Sequence, residues 1–351
     1  MTLLEVENLA VSFPVGGVRV NVVEDVSFAV EKGTALCVVG ESGSGKSVTG
    51  LAIMRLLDPI AGVDQGSEVR FNGMNLLTLS ERDMQRVRGT KVAMIFQEPM
   101  TALNPVYTVG YQVAEVVRQH EDANREAANE RVVELLKLVG IPDPESRMSD
   151  YPHQMSGGMR QRVMIAMALA GGPDLLIADE PTTALDVTVQ AQILDLLKSL
   201  QQDFEMGLIL ITHDFGVVAE IADDVAVMYA GQIVERGPVG AVLERPQHPY
   251  TEALLRSMPV LGMNRKEPLK VIRGTVPSPT EWPPACRFHP RCDYAFDRCC
   301  VEEPPAFVVD TQRAKCWLCE HGPRPTGSNE GGRPARASQG EMRESGGHDE
   351  R

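Results

Sequence analysis

The feature that most constrains this chain is the octapeptide GESGSGKS at residues 40–47. It follows the apolar run 35–39, which predicts a fully buried strand, and it leads into a helical pattern over residues 47–57. The pattern G-x-x-x-x-G-K-[ST] in that context is typical of a phosphate-binding loop. Its backbone N–H groups surround a phosphate, and the helix N-terminus adds partial positive charge. Lys46 would supply a charge for the β- and γ-phosphates, and the Ser47 hydroxyl would bind Mg²⁺.

A second motif, LLIADE at residues 175–180, is an apolar strand that ends in two carboxylates. A carboxylate at the C-terminal end of a core strand can face a nucleotide bound at the same edge of the sheet. Asp179 would hold Mg²⁺ directly or through water, and Glu180 would polarise an attacking water. The motif alone is weak, because an acidic pair can simply end a strand. Together with the phosphate loop it predicts a nucleotide-hydrolysing site.

Strand and helix patterns alternate along the chain, which predicts an α/β fold with a parallel core sheet. The apolar runs 175–178 and 208–212 are predicted core strands, and a helix is predicted between them over residues 190–200. Residues 111–139 carry apolar residues at helical spacing and predict a helical insertion.

The charge balance and the hydropathy exclude some classes of protein. The chain has 351 residues, with 34 Lys plus Arg and 48 Asp plus Glu, so its formal net charge is −14. This acidic balance argues against a protein that coats nucleic acid through phosphate contacts. The N-terminus lacks the pattern of a signal peptide, and no apolar run reaches the roughly 18 residues that a membrane-spanning helix needs. We therefore expect a soluble, cytoplasmic protein that reaches a membrane only through partners.

A third motif, MSGGMRQR, occupies residues 155–162. Ser-Gly-Gly ahead of an apolar helix is typical of a helix N-terminus that binds an anion. The segment resembles the signature of ABC ATP-binding cassettes, with Met155 for the usual Leu and Met159 for Gln. The order of motifs over residues 3–240 also resembles a complete cassette: phosphate loop, Gln97, signature, Asp179, Glu180, Asp186 and His213.

Within that family the chain is similar to the oligopeptide and dipeptide importers. The similarity rests on the phosphate loop and the signature, and also on FQEPMTALNP at 96–105, HPYT at 248–251, PSP at 277–279 and CRFHPRC at 286–292. It implies an α/β, P-loop (RecA-like) nucleotide-binding domain with antiparallel β and helical subdomains. It also implies a small Cys-rich C-terminal extension.

The implied domains follow from the same resemblance. The cassette would span residues 1–240, with a helical and signature subdomain over about 100–165. The extension with its cysteines would span 241–322. Residues 323–351 are rich in Gly, Ser, Arg and Glu and contain no aromatic residue, so we expect a disordered tail.

The resemblance also implies a role for each motif residue. Two cassettes would enclose two ATP molecules, with the phosphate loop of one facing the signature of the other. Glu180 would be the general base, Gln97 would reach Mg²⁺ and the lytic water, and His213 would contact the γ-phosphate. The full set expected to bind ATP or Mg²⁺ is Phe13, Gly40, Ser42, Gly43, Ser44, Gly45, Lys46, Ser47, Gln97, Ser156, Gly157, Gly158, Asp179 and Asp186. Of these, Phe13 would stack on adenine, Asp186 would lie at the dimer interface, and Ser47 and Gln97 would contact the metal.

Six of the seven cysteines lie between residues 286 and 319. In a reducing cytoplasm such clustering favours metal binding over disulfides. The resemblance implies a [4Fe–4S] cluster on Cys286, Cys292, Cys299 and Cys316, since four thiolates are its usual ligand set. Zinc bound by cysteines is the main alternative. Buried or surface thiols without a metal remain a third.

The resemblance implies an ATP-hydrolysing subunit that powers the import of peptides or a related small solute. Its partners would be a second cassette, identical or paralogous, two membrane permeases and an extracytoplasmic solute-binding protein, with no nucleic acid. It would lie on the cytoplasmic face of the cell membrane. The alternatives are nickel or another non-peptide solute, an exporter ATPase, and a non-transport soluble ABC ATPase. A redox-sensing role for the cysteines would be additional to the ATPase work.

Overall fold

The computed structural model describes residues 1–97, 102–121, 123–183, 185–258 and 272–324. The strands are β1 (Thr2–Val15), β2 (Val18–Glu31), β3 (Ala35–Val39), β4 (Gly62–Val63), β5 (Glu68–Phe71), β6 (Met74–Asn75), β7 (Val92–Ile95), β8 (Leu175–Asp179), β9 (Gly207–Thr212), β10 (Asp224–Tyr229), β11 (Gln232–Pro238), β12 (Phe307–Val309) and β13 (Gln312–Ala314). The α-helices are α1 (Lys46–Ile53), α2 (Glu81–Val87), α3 (Val109–His120), α4 (Arg125–Leu138), α5 (Pro144–Arg147), α6 (Gly157–Leu169), α7 (Val187–Asp203), α8 (Phe215–Ile221), α9 (Val239–Glu244), α10 (Pro249–Ser257) and α11 (Asp297–Val301).

Two sheets organise the described residues. The smaller sheet is antiparallel, with strand order β2-β1-β5-β6 and β4 paired to β1. The larger sheet has the order β12-β13-β11-β10-β3-β9-β8-β7, and its strands from β10 to β7 are all parallel neighbours. The α/β fold with a parallel core sheet and an antiparallel subdomain is therefore confirmed.

Strand β3 shows why the core sheet is buried on both faces. Every residue of β3 is buried. Cys37 and Val39 face one apolar cluster, whereas Leu36 and Val38 face the other. Parallel strands covered on both faces are near-continuous apolar runs, which is the pattern that the sequence shows.

The helix after the phosphate loop is shorter than the sequence pattern predicts. It ends at Ile53 instead of continuing to residue 57. Arg55 adopts a left-handed φ of 51°, and its guanidinium donates to the carbonyls of Leu76 and Leu79. The helix thus ends just before Arg55, whose side chain connects this part of the chain to the antiparallel subdomain.

Side-chain caps determine where the helices around the signature begin. Thr108 caps α3, Asn124 caps α4 and Ser156 caps α6, each by accepting a backbone N–H. Asp186 caps α7 in the same way, so this helix begins earlier than the predicted residue 190. The helical insertion predicted over residues 111–139 is formed by α3 and α4.

We call residues 241–258 and 272–324 the C-terminal segment. It joins the core sheet, because β13 pairs antiparallel with β11. Its chain also covers Glu235 of β11, whose buried carboxylate accepts the backbone N–H groups of Gln247 at 2.6 Å and His248 at 2.9 Å. Burial raises the pKa of Glu235 to about 7, although these hydrogen bonds oppose the shift.

The last described residue, Arg324, is buried and packed against the rest of the C-terminal segment. Arg324, which the sequence places in the disordered tail, pairs with Glu252 at 2.6 Å. Its guanidinium also lies 4.0 Å from the centre of the Tyr294 ring. The rest of the predicted tail, residues 325–351, lies outside the described residues. None of the described helices is long and apolar enough to cross a membrane.

Candidate nucleotide-binding and hydrolysis site

The phosphate loop (residues 40–47) connects β3 to α1 and holds a buried lysine. Lys46 Nζ donates to the carbonyl of Gly40 at 2.8 Å and to that of Glu41 at 3.0 Å. Burial lowers the pKa of Lys46, and the carboxylates of Glu180, Asp179 and Glu41 oppose that shift. The ammonium group therefore lies inside the loop, where it can exchange backbone carbonyls for phosphate oxygens.

Two glycines of the loop are required by their surroundings. A Cβ on Gly40 would lie 2.1 Å from the carbonyl oxygen of Met228. Gly45 has φ +102°, and a Cβ there would lie 2.9 Å from Met228 Cε and 3.0 Å from the carbonyl oxygen of Val22. Gly43, with φ +81°, has open space around it, so only its backbone conformation favours glycine.

The two loop serines differ in burial. Ser42 is exposed at the tip of the loop beside Gly43. Ser44 is fully buried, and its Oγ has no hydrogen-bond partner among the described residues. A buried hydroxyl without a partner is costly unless a ligand supplies one. This unpaired donor inside the loop fits an anionic ligand.

The site for a hard cation lies beside the loop. Ser47 Oγ, at the start of α1, donates to Asp179 Oδ1 at the end of β8 over 3.0 Å. Burial raises the pKa of Asp179, while its hydrogen bond with Ser47 opposes that shift. Oxygen ligands of this kind fit Mg²⁺, which prefers one or two protein oxygens together with substrate phosphates.

The predicted hydrolytic residues meet around Glu180, directly after β8. Its Oε2 accepts Gln97 Nε2 at 3.1 Å and Thr183 Oγ1 at 2.8 Å. Its Oε1 lies 3.3 Å from Nδ1 of His213. Glu180 itself has a left-handed φ of 46°, a strained backbone conformation for a residue other than glycine. The structure thus brings Gln97, Glu180 and His213 together as the sequence predicts.

Sheet topology explains this convergence. Gln97 follows β7, Glu180 follows β8 and His213 follows β9, and these three strands are parallel neighbours. The carboxyl ends of parallel strands meet at one edge of the sheet, where ligands bind in open α/β folds. Thr183 was missed as a site residue. Its position three residues after Glu180, with a hydroxyl able to donate to that carboxylate, could have indicated its place in the site.

The signature lies at the start of α6. Ser156 Oγ accepts the backbone N–H of Met159 at 3.3 Å, so its side chain caps the helix. A Cβ on Gly158 would lie 2.6 Å from a methyl group of Val189, whereas one on Gly157 would make only ordinary contact. Among the described residues, no hydrogen bond connects residues 156–158 to the phosphate loop. One chain alone does not place the signature on its own nucleotide site.

Two further predicted residues lie apart from these groups. Asp186 caps α7 through the backbone N–H groups of Thr188 and Val189, at 3.1 and 3.0 Å. Phe13 pairs with Val20 across the β1–β2 ladder and packs, half-buried, against the apolar cluster under the antiparallel sheet. Its contacts in this structure are therefore those of a packed strand residue.

Known proteins show which family has this arrangement. Residues 23–183 match the family model described as ABC transporter, and residues 234–299 match the oligopeptide/dipeptide transporter C-terminal region. The oligopeptide transport ATP-binding protein OppD of Bacillus subtilis is 55% identical over 90% of this chain and 88% of its own length. The dipeptide transport ATP-binding protein DppD of Escherichia coli is 50% identical over 93% of this chain and all of its own.

The chain belongs to the family of oligopeptide and dipeptide ABC transporter ATP-binding subunits. Members of this family are ATPases that bind ATP with Mg²⁺, so the chain is an ATPase. A solved dimeric structure of the bacterial ABC transporter cassette MJ0796 matches with a TM-score of 0.60 at 26% identity, over 68% of this chain and 99% of that one. The resemblance and the fold predicted from the sequence are both confirmed.

The predicted cluster ligands of this ABC ATPase lie near one another. The pKa of Cys286 is raised to about 11 and that of Cys292 to about 12, mainly because both thiols are buried. The neighbouring thiols of Cys299 and Cys316 also raise the pKa of both. A hydrogen bond with Cys319 is the main cause that raises the pKa of Cys316.

The structure does not confirm a metal centre at these thiols. Within the described residues, no group of three or more His, Cys, Asp or Glu side chains could hold a metal ion. The donor chemistry of the four thiols suits an iron–sulfur cluster or zinc. The predicted [4Fe–4S] ligand set is therefore not confirmed.

We expect Glu180→Gln to lower ATP hydrolysis by about 100-fold or more, since a general base contributes about that much. ATP binding should persist and a nucleotide-bound dimer should accumulate, because the amide keeps the shape of the side chain. Phosphate release, fluorescent-nucleotide binding and sedimentation velocity check these three outcomes.

Glu205→Gln is a matched control, since Glu205 is also a glutamate with left-handed φ, 48°, but lies in an exposed ion pair with Lys32. It should hydrolyse ATP like the wild type. Near wild-type hydrolysis by Glu180→Gln would refute the role of Glu180 as the base.

Proposed function

We propose that this ATPase powers the import of peptides across the cell membrane. The observation that carries its hydrolytic part is the connected set of Gln97, Glu180 and His213, whose Glu180 carboxylate interacts with the charge of the buried Lys46. It provides the parts that phosphoryl transfer to water requires, namely a positioned base, a cation on the phosphates and a polar contact to the γ-phosphate.

In the proposed reaction, Glu180 accepts a proton from the attacking water as the water oxygen bonds to the γ-phosphorus. The bond from that phosphorus to the β–γ bridging oxygen breaks, and ADP leaves with the electron pair. Lys46 and the loop N–H groups hold the β- and γ-phosphates, and Gln97 orients the water. Ser47, Asp179 and Gln97 would hold Mg²⁺, which neutralises phosphate charge when bound.

We further propose that a second cassette, identical or paralogous, completes each site. Among the described residues, no hydrogen bond connects Ser156, Gly157 or Gly158 to the phosphate loop of their own chain, and the N-terminus of α6 is suited to an anion. The γ-phosphate held by a partner's loop would be that anion. Asp186 would lie at the interface, and Phe13 would stack on adenine.

An apolar cavity of about 320 Å³ supports contact with a membrane permease. Its lining includes Met54, Leu56, Met164 and Phe96, and Phe96 is 42% exposed although it is a large apolar residue. Phe96 directly precedes Gln97, so a permease segment in the cavity would act on the hydrolytic set. The chain would lie on the cytoplasmic face of the membrane with two permeases and an extracytoplasmic solute-binding protein.

The proposed domains are the cassette over 1–240, its helical and signature part over about 100–165, and the extension over 241–322. Peptides are the proposed substrate class because relatives that cover 90% or more of this chain include proteins named for oligopeptide or dipeptide transport. Nickel or another small solute remains an alternative outcome of the test, as does a soluble ATPase without a transport role.

Deletion of the gene in its source organism should reduce the uptake of radiolabelled di- to pentapeptides to background. The wild-type gene should restore uptake and Glu180→Gln should not, while uptake of free amino acids stays unchanged throughout. Unchanged peptide uptake with lost ⁶³Ni²⁺ uptake would assign the nickel alternative instead. No change in either solute would contradict an import role for these substrates.

We also propose that Cys286, Cys292, Cys299 and Cys316 bind a [4Fe–4S] cluster, with zinc as the alternative. The support is the match of residues 234–299 to the oligopeptide/dipeptide transporter C-terminal region, together with thiols of Cys299 and Cys316 that lie close enough to raise the pKa of Cys286 and Cys292. Thiols with raised pKa values must lose protons to bind metal, so loading should increase with pH.

Anaerobically purified chain should contain about four irons and four acid-labile sulfides. Cys292→Ser should lower both to near zero. Cys300→Ser, which changes an exposed thiol next to Cys299, should leave them unchanged. About one zinc without sulfide would favour the zinc alternative, and neither metal would refute the proposal.

A further inference from the structure

The C-terminal segment contacts the phosphate loop through a buried arginine. Arg291 donates from Nη1 to Glu41 Oε2 at 2.7 Å and from Nη2 to Glu41 Oε1 at 3.0 Å. The Arg291 side chain is only 6% exposed. Such two-point pairs are the strongest and most directional contacts between arginine and a carboxylate. Glu41, the second residue of the loop, is thus held from outside the cassette.

The arginine is itself fixed by its own segment and by the core sheet. Its Nε donates to the carbonyl of Arg273 at 2.8 Å, and its Nη2 to that of Gly274 at 3.3 Å. Its Nη1 also donates to Tyr229 Oη at 3.4 Å. A guanidinium with this many partners cannot follow Glu41 to a new position, so it defines where the carboxylate lies.

The backbone of Glu41 is held by a second residue of the segment. Tyr250 Oη accepts the Glu41 N–H at 2.9 Å, and Tyr250 is fully buried. Its ring packs at centroid distances of 4.6 Å against Tyr229 and 5.3 Å against Phe288. This aromatic cluster connects the end of β10 to the C-terminal segment.

Glu41 in turn shapes the part of the loop that meets phosphate. Its carbonyl accepts Lys46 Nζ at 3.0 Å and the Ser44 N–H at 3.2 Å. Its carboxylate places a negative charge in a loop that binds a polyanion. Without a compensating charge this carboxylate would repel the phosphates of ATP.

We propose that Arg291 is a positioning residue for ATP binding, which holds Glu41 and cancels its charge beside the phosphates. Tyr250 fixes the same residue through its backbone. The inference rests on the proposed function only in taking ATP as the anion. It assigns the C-terminal segment a direct role in nucleotide affinity, beyond attachment to the cassette.

The test compares four forms of the full chain: wild type, Arg291→Ala, Glu41→Gln and the double variant. Binding of a fluorescent ATP analogue gives Kd, and phosphate release gives KM and kcat. We expect Arg291→Ala to raise Kd and KM about tenfold with less than a twofold change in kcat. Glu41→Gln should lower Kd, because Arg291 then adds a net positive charge. The double variant should return to within about twofold of the wild-type Kd.

The salt dependence separates charge from packing. The difference in Kd between Arg291→Ala and the wild type should shrink between about 50 and 500 mM KCl, because salt screens the partly exposed carboxylate. Arg245→Ala is the matched control, since Arg245 pairs with Asp310 at 3.6 Å within the same segment. It should leave Kd, KM and kcat unchanged.

Three results would overturn the inference. They are an unchanged Kd in folded Arg291→Ala, a raised Kd in Glu41→Gln, or a double variant as weak as Arg291→Ala. The last two would mean that the ion pair only docks the segment, and Glu41→Gln keeps the test valid if Arg291→Ala fails to fold. A wild-type chain that binds no ATP analogue would instead refute the proposed function itself.

Discussion

Much of this structure depends on keeping a lysine ammonium group out of water at the end of a core strand. Lys46 is 5% exposed, and burying an unpaired charge is costly. The loop carbonyls of Gly40 and Glu41 offset part of that cost, as do the carboxylates of Asp179, the last residue of β8, and of Glu180, which follows it. These carboxylates can reach the loop because β8 and β3 both pair with β9. The same geometry leaves a place in which the phosphates of a nucleotide balance the remaining charge.

The motifs revealed much of the site because each is local and stands next to a strand. An apolar run followed by Gly-rich sequence, an acidic pair or His213 predicts a side chain at the carboxyl edge of a parallel sheet. The edge also explains why Gln97, Glu180 and His213 meet although they are far apart in sequence. The pattern could not show that α1 ends at Ile53, where the chain turns so that Arg55 donates to the carbonyls of Leu76 and Leu79, just beyond β6.

Contacts made by the C-terminal segment were beyond the reach of sequence patterns. Arg291 lies 250 residues from Glu41, and Tyr250 lies 209 residues from it, so neither pair has a local signal. Strands β12 and β13 have three residues each, too few for an alternating pattern to be recognised. The sequence therefore suggested a Cys-rich appendage, whereas the structure shows a segment that extends the core sheet and contacts the phosphate loop.

The central claim is that ATP joins the phosphate loop of one cassette to the signature of another. Hydrogen exchange of the chain in its complete complex, measured with and without ATP and Mg²⁺, tests it most directly. The account predicts that ATP slows exchange in two segments, residues 40–47 and residues 155–160. Slower exchange in the phosphate loop alone would contradict the account.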